Sequence, residues 1–431
     1  MAQIQCALGI VVILGLTWLW SSNKRGISWR TVLWGLALQL ILALIVVVFP
    51  PGVRAFQWFG DGVTWFLGFA TQGAAFLFGN LALPAGQAVV GFQFAITITS
   101  VIVFFSSCMA VLYHYGIMQR FVCWTARILE RTMKTSPIES INAVGEIFLG
   151  QTESPLLVKR YIPYISSSEL FAMMVGGFAT IAGSTMGVYV ARGINATDLM
   201  IASILAAPAA LALAKIAEPH VTSSKSVMSS KDVMSSVVET SSEVETLSDV
   251  ETHTAGNLLD AIAHGAFDGA KLALNVIVVL IAFKAIVAFL DALLGMGSAQ
   301  LSTIGLAHVP TSIEQILGYV FLPFAWLTGI PSSEAQTFAS LLGTKIAMTE
   351  FIAYDNLATL VSQGALSERT VRLATIALCG FANVMSIGIQ IGGYGMMAPN
   401  RRAEVARFGF KAMCIGALAN LFTACVAGLF I

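Results

Sequence analysis

The chain has 431 residues, of which 57% are hydrophobic and 11% charged, with a mean hydropathy of +0.82. A water-facing surface usually needs about 25% charged residues, so this composition excludes a soluble globular protein and sets most of the surface against lipid. The 23 basic and 23 acidic residues cancel, which leaves no basic excess for nucleic acid. Six cysteines (Cys6, Cys108, Cys123, Cys379, Cys414 and Cys425) are scattered without paired spacing, and the five histidines form no His-x-x-His pair. Both facts argue against disulfides and metal clusters.

A bilayer core of about 30 Å takes roughly 20 helical residues to cross. In chain order, eight apolar stretches meet that length: 4–20, 31–49, 92–113, 169–190, 198–215, 271–293, 370–391 and 408–431. The first reads as a true span rather than a cleaved signal, because it has no basic n-region and no clear small-residue cleavage site. Stretches 55–79 and 117–132 mix aromatic with charged residues and read as amphipathic interfacial helices. Segment 221–254 is rich in Ser, Thr, Val and Glu without a sustained apolar period, and reads as a flexible cytoplasmic linker.

Lys24, Arg25 and Arg30 follow the first span, Arg120, Arg127, Arg131 and Lys134 follow the third, and Arg401, Arg402 and Arg407 precede the last. Placing all three groups in the cytoplasm puts both termini outside, and eight spans satisfy that parity.

The two halves carry matching signatures. Thr152-Glu153 precedes Gly177-Phe178-Ala179-Thr180-Ile181, and Thr349-Glu350 precedes Gly380-Phe381-Ala382-Asn383-Val384. Gly150 and Pro155 interrupt the apolar run around the first acid, and Gly343 the run near the second. Interrupted apolar segments at corresponding places in two halves point to a transporter's binding site. Irregular backbone at membrane depth is tolerated only beside protein or a water-filled cavity, and a carboxylate there costs on the order of 3 kcal/mol or more. The blander readings are a helix-terminus acid for Glu153 and close helix packing for Gly388, Gly392, Gly393 and Gly395. Lys271, Lys284 and Lys345 are isolated and read as snorkelling stems.

These residues also carry a resemblance. Gly150-Gln151-Thr152-Glu153-Ser154-Pro155-Leu156 resembles the first hairpin motif of the concentrative nucleoside transporters. Gly343-Thr344-Lys345 with Thr349-Glu350-Phe351-Ile352-Ala353-Tyr354 is similar to the family's G-x-K-x-x-x-N-E-F-V-A-Y signature. Ala377-Leu378-Cys379-Gly380-Phe381-Ala382-Asn383, Ser386-Ile387-Gly388-Ile389 and Ala398-Pro399-Asn400-Arg401-Arg402 match the motifs that follow it.

The resemblance, to an eight-span bacterial member, implies an all-α inner-membrane homotrimer without cofactor. Each protomer would have two re-entrant hairpins, two discontinuous helices and an inverted repeat. The implied layout is a scaffold of N-terminal spans and interfacial helices at 1–134, a first transport repeat at 135–217, the polar linker at 218–255, an interfacial helix with the sixth span at 256–313, and a second transport repeat at 314–431. The implied activity is nucleoside import by symport with a cation. Gln151, Thr152 and Glu153 would face the nucleobase, and Glu350, Asn383 and Ser386 the ribose, with Phe381 beside them. Acceptors and amides suit a neutral, hydroxyl-rich solute.

Two positions depart from the family pattern. Thr349 stands where the signature has Asn. Glu146 stands where sodium-coupled members have the Asn side chain that binds the ion, together with groups that map to Leu149, Thr180 and Ile181. A carboxylate there would bind sodium more strongly or take up a proton itself, and proton coupling is the expectation. Otherwise Glu146 would face a water cavity and pair with a neighbour such as Lys345 or Arg160. A carrier of another polar solute such as a nucleobase is the closest rival. An intramembrane enzyme would want a nucleophile or metal cluster in the spans, and a channel would want rings of charge or carbonyl-rich filters.

Overall fold

Helix is the only regular secondary structure among the described residues, as so apolar a chain requires. In lipid no water meets a bare N–H or C=O, and a helix satisfies most of its own within one segment. The computed structural model describes residues 1–83, 89, 91, 93–220, 257–303 and 310–431, except the side chains of 279, 283 and 299–303. The segment read as a linker, 221–254, lies outside the described residues.

Helices α1 (Ala2–Leu19) and α2 (Trp29–Ala43, prolonged by a π turn to Val48) are the first two predicted spans. Helix α3 (Pro50–Phe78) covers the first amphipathic stretch, α4 (Phe94–His114) the third span and α5 (Ile117–Met133) the second amphipathic stretch. The first repeat then runs α6 (Pro137–Gly145), a 3₁₀ segment Ser154–Tyr164, α7 (Ser167–Ala179), α8 (Gly183–Ala191) and α9 (Ala196–Ala217). Capping boxes start α6 at Ser136 with Glu139 and α7 at Ser166 with Glu169, each satisfying end N–H groups that lipid would leave bare.

Helix α10 (Leu258–Thr303) is one helix of 46 residues where the sequence suggests an interfacial helix followed by a span. At 1.5 Å per residue it is ~69 Å long, about twice a bilayer core. No proline interrupts it, and apolar residues continue on both sides of Asp268 and Lys271, so nothing ends the helix between them. The second half follows with α11 (Ile313–Leu327), α12 (Ser332–Ala347), α13 (Glu350–Ser362), α14 (Glu368–Leu378), α15 (Val384–Met397) and α16 (Arg402–Gly428).

By length and composition seven described segments suffice to cross a membrane, with α7 and α8 taken together. The remaining predicted span, 370–391, is two shorter helices, α14 and α15, separated at 379–383. Each half thus repeats one order: an interrupted arm, a broken helix (α7/α8 or α14/α15), and an unbroken helix (α9 or α16). Helices α9 and α16 lie side by side, and each packs against both α7 and α14. The apolar window of α9 is 94% buried and that of α10 only 12%, so the repeats form the interior and α10 an outer face.

The three basic groups meet at one end. Ser22 N–H donates to Ala217 O, Thr31 to Met133 O, and Arg401 to Ile165 O. Both termini lie at another: Arg369 donates to Ile431 O, and its guanidinium reaches the Gly329 turn, which touches Ala2 O.

Gly380 sits in the second break at φ +151°, and a Cβ there would stand 2.5 Å from Asn420 Oδ1 and 2.7 Å from Phe178 O. Gly380→Ala should therefore cost about 1–3 kcal/mol of stability, seen as a lower thermal midpoint in detergent, because neither neighbour is a flexible tip.

Candidate functional site

The two broken helices break beside each other. Helices α7 and α14 end at Ala179 and Leu378, which strands carbonyls of their last turns. Phe381 N–H donates to Thr180 O at 3.2 Å, joining one break to the other. Asn420, from α16, donates to Ala179 O at 2.6 Å and to Cys379 O at 2.5 Å. Lys345, in the last turn of α12, donates to Asn420 Oδ1 at 2.7 Å and Ala377 O at 3.1 Å. A cation at helix C-termini is favourably placed. Lys345 is only 1% exposed, which corrects its reading as a snorkelling stem. Its place in the Gly343-Thr344-Lys345 signature was the available signal, whereas Asn420 stands in no quoted motif.

Beside this junction lies a polar cluster built by helix starts. Thr349 is the N-cap of α13, its hydroxyl accepting from Ile352 N–H at 3.4 Å. Thr and Asn both cap helices, so the departure from the family signature keeps the cap. Capping places Glu350 at the first position of α13. Asn383 caps α15 in the same way, accepting from Ser386 N–H at 2.8 Å, and its amide donates to Glu350 Oε2 at 2.8 Å. Tyr189 OH donates to Glu350 Oε1 at 3.3 Å, and Gln151 Nε2 donates to Ser386 Oγ at 3.2 Å. Gln151, Glu350, Asn383 and Ser386 thus come together from the two arms and the second broken helix, all buried.

Tyr189 stacks on Tyr354 with ring centroids 4.1 Å apart, and Tyr354 OH donates to Thr375 O at 2.7 Å. Gln390 Nε2 donates to Met174 O at 3.0 Å and Gln151 Oε1 at 3.3 Å. Tyr354 lies in a quoted motif, but Tyr189 and Gln390 are ordinary residues of apolar helices and gave no signal.

Thr152, Glu153 and Phe381 are half-buried, and of the three only Phe381 bonds to this cluster, its carbonyl accepting from Asn383 N–H at 2.8 Å. The Thr152 methyl lies against Gly393, and Glu153 Oε2 accepts from Gly150 N–H at 3.4 Å. Gly393 and Gly395 pack closely, against Thr152 and Arg402, whereas a Cβ at Gly388 or Gly392 would meet nothing within 4 Å among the described residues.

Glu146 closes α6 and is fully buried. Its Oε1 accepts from Asn142 Nδ2 at 2.8 Å, and its Oε2 has no partner among the described residues. Neither suggested partner engages it: Lys345 is bonded elsewhere, and Arg160 is exposed. Gly183 N–H donates to Phe148 O at 2.9 Å, which holds the loop carrying Leu149 against the break carrying Thr180 and Ile181. Thr180 Oγ1 donates to Gly176 O at 2.9 Å. Glu146, Leu149, Thr180 and Ile181 are all buried, and carboxylate, hydroxyl and carbonyl oxygens are donors of the kind a hard cation or a proton takes. Among the described residues no group of three His, Cys, Asp or Glu side chains is arranged to hold a metal.

Fold and site together define a multi-pass helical membrane protein in which two repeats each contribute an arm and a broken helix. The chain belongs to the sodium-dependent nucleoside transporter family: the model for the C-terminal part of Na+ dependent nucleoside transporters matches residues 198–428, that for the N-terminal part 8–81, and a nucleoside recognition (gate) model 95–195. Members are transporters, not enzymes. An uncharacterized transporter of Haemophilus influenzae is 39% identical over 436 residues, covering 100% of this chain and 98% of the other. Mouse solute carrier family 28 member 3 and mouse sodium/nucleoside cotransporter 1 are 37% and 38% identical over 98% and 99% of this chain. The chain spans 58% and 64% of those mammalian proteins. CNTnw in an inward-facing substrate-bound state superposes with a TM-score of 0.89 at 36% identity, over 100% of this chain and 98% of that one. A doubly substituted CNTnw in an outward-facing state gives 0.90 at 36% identity, over 100% and 99%.

Two substitutions test the junction and the acid. Asn420→Ala would strand two carbonyls and one acceptor-seeking ammonium, at about 1–3 kcal/mol for each orphaned group, and should strongly lower the thermal midpoint. A Cβ on Gly176 would stand 2.2 Å from Glu146 Oε2. Gly176→Ala should displace the carboxylate at a smaller stability cost, about 1–3 kcal/mol, read as a smaller drop in thermal midpoint than for Asn420→Ala.

Proposed function

We propose that this protein is a secondary active carrier that imports nucleosides by alternating access, driven by a cation gradient. The observation that carries this reading is the buried convergence of Gln151, Glu350, Asn383 and Ser386 from both repeats. Amides, a hydroxyl and a carboxylate without an adjacent cation-binding partner set suit a neutral solute with several hydroxyls, and the mutual bonds seen here are those a ribose would replace. Gln151 would face the base, with Thr152 and Glu153 joining it when substrate occupies the site. Glu350, Asn383 and Ser386 would hold the ribose beside Phe381. Leaving such buried groups unpaired is expensive, so deoxy analogues should be transported poorly.

The coupling site in this proposal is Glu146 with Leu149, Thr180 and Ile181, and the coupling ion is H+ in preference to Na+. A carboxylate with one buried, unpartnered oxygen can carry the proton itself and become neutral in doing so. One charge moving down about 100 mV releases roughly 2.3 kcal/mol, enough for on the order of fifty-fold accumulation. The proposal further places the chain in a bacterial inner membrane as a homotrimer with both termini outside, the gathered basic groups facing the cytoplasm. The interrupted arms would be re-entrant hairpins, moving with the repeats 135–217 and 314–431 against a scaffold of 1–134 and 256–313. The nearly unburied apolar faces of α4 and α10 support a scaffold role, since lipid or neighbouring protomers must cover them.

The test is radiolabelled uridine uptake into proteoliposomes with sodium and proton gradients imposed separately, for wild type and Glu146→Asn. Saturable uptake driven by protons and lost in the variant is expected. Sodium-driven uptake indifferent to the proton gradient would sink proton coupling. Absence of uridine uptake under either gradient, with uptake of a nucleobase instead, would move the substrate assignment.

A further inference from the structure

Helix α5 is tied to a membrane-spanning helix at each end. It begins after the Tyr115-Gly116 turn that closes α4, where Gly116 takes φ +67°. Its last carbonyl, Met133 O, accepts at 3.0 Å from Thr31 Oγ1, in the first turn of α2. The 17 residues, at 1.5 Å each, thus run for ~26 Å between two places where spans leave the bilayer, so the helix lies along the interface. Met118, Val122, Cys123, Ala126 and Met133 face the protein and are buried. On the outer side Ile117, Phe121, Trp124 and Ile128 recur at helical spacing and are 49%, 43%, 60% and 43% exposed. Arg120, Arg127 and Arg131 run along one edge of this apolar stripe, all exposed, and Lys134 follows them. Glu130 is the sole acid of the helix. A helix that is apolar on two sides and basic along one edge has a reason to be so only where lipid and its headgroups cover the outer side.

We propose that the outer side of α5 carries a binding site for the phosphate headgroup of an anionic phospholipid. Arg127 and Arg131, one turn apart, line a recess of 240 Å³ together with Trp124 and Ile128. A guanidinium is planar and offers paired N–H donors that match two oxygens of a phosphate, so two of them one turn apart can hold a phosphodiester from both sides. The Trp124 ring and Ile128 lead from the recess into the apolar stripe, along which the acyl chains would lie. Tryptophan suits this level of a membrane, having an apolar ring and a polar N–H. A free phosphate would use the two arginines and leave the stripe uncovered, whereas a lipid uses both, and this favours the lipid. Lys24, Arg25 and Arg30 precede Thr31 in the chain and add positive charge near the Met133 end of the helix. The site does not depend on what the protein carries. Only its leaflet follows from the proposed orientation, which makes it the cytoplasmic one, where anionic lipid draws basic segments.

Acyl-brominated lipids quench a tryptophan that they touch, which gives a direct readout at Trp124. The whole protein is reconstituted in phosphatidylcholine vesicles containing increasing fractions of brominated phosphatidylglycerol or, separately, of brominated phosphatidylcholine. The Trp124 signal is the difference between wild type and Trp124→Phe. Brominated phosphatidylglycerol should quench it at a lower mole fraction than brominated phosphatidylcholine does. Arg127→Gln and Arg131→Gln should each raise the half-quenching fraction of phosphatidylglycerol roughly fivefold and leave that of phosphatidylcholine unchanged. Equal quenching of wild type by the two lipids would overturn the proposal, since the helix would then touch lipid without choosing a headgroup; this comparison stands even if a variant fails to fold. No quenching of Trp124 by either lipid would overturn it too, because protein would then cover the face. Loss of the phosphatidylglycerol preference on adding inorganic phosphate, but not chloride at equal ionic strength, would assign the recess to a free anion instead of a lipid. Uridine uptake enters none of these readings, so failure of the carrier assignment and failure of the lipid site are distinguishable.

Discussion

A helix that stops inside a membrane leaves carbonyls that no water can reach, and the structure depends on how two such ends are answered. Helices α7 and α14 stop side by side, and one amide from α16, backed by one ammonium from α12, takes up the stranded groups. The solution ties four elements to one point. Helices α9 and α16 can then remain unbroken and buried while the interrupted helices between them offer free backbone to a site. An apolar replacement of Asn420 or Lys345 would meet the packing demand and leave the electrical one unmet, which is why these two polar residues sit at the junction.

The opposite ends of the breaks are answered differently. Thr349 and Asn383 cap α13 and α15 with their own side chains, and each cap sets the next functional group: Glu350 directly after Thr349, and Ser386 three residues after Asn383. A cap residue cannot move without unravelling its helix, so the geometry of the polar cluster is inherited from local helix chemistry. Asn383 serves twice, its oxygen holding the helix start and its amide holding Glu350. Side chains committed in this way are preorganised, and a substrate need only exchange places with the bonds they already make among themselves.

This division explains what could be read in advance. The spans, the repeat, the breaks and the acid-plus-amide cluster follow from apolar length, Gly and Pro placement and local capping, all of which are written in contiguous residues. Lys345, Asn420, Gln390 and Tyr189 were misread or unnoticed because their meaning lies in partners up to hundreds of positions away. A lone lysine near a helix end snorkels as often as it is buried, and a lone asparagine in a final span carries no pattern. The continuous α10 was missed for a related reason: charged residues in its middle resemble a boundary, yet charge alone does not stop a helix when neither proline nor a cap follows. Thr152, Glu153 and Phe381 show the converse limit. Their sequence neighbours converge, but side-chain direction along an irregular arm is not set by any period.

Buried charge separates Glu350 from Glu146. Glu350 accepts from Asn383 on one oxygen and from Tyr189 on the other, so both its oxygens have donors. Glu146 has one amide donor and, among the described residues, no ion pair. A single neutral donor does not offset the loss of water around a carboxylate. In the proposed mechanism, a proton or a metal ion on Glu146 would remove that cost. That cost is itself a coupling device under the proposed function: the unloaded form carries an uncompensated charge through the interior and the loaded form does not. Under the proposed function, a barrier to moving while unloaded is what a symporter needs to prevent leak, and an unneutralised carboxylate would supply it.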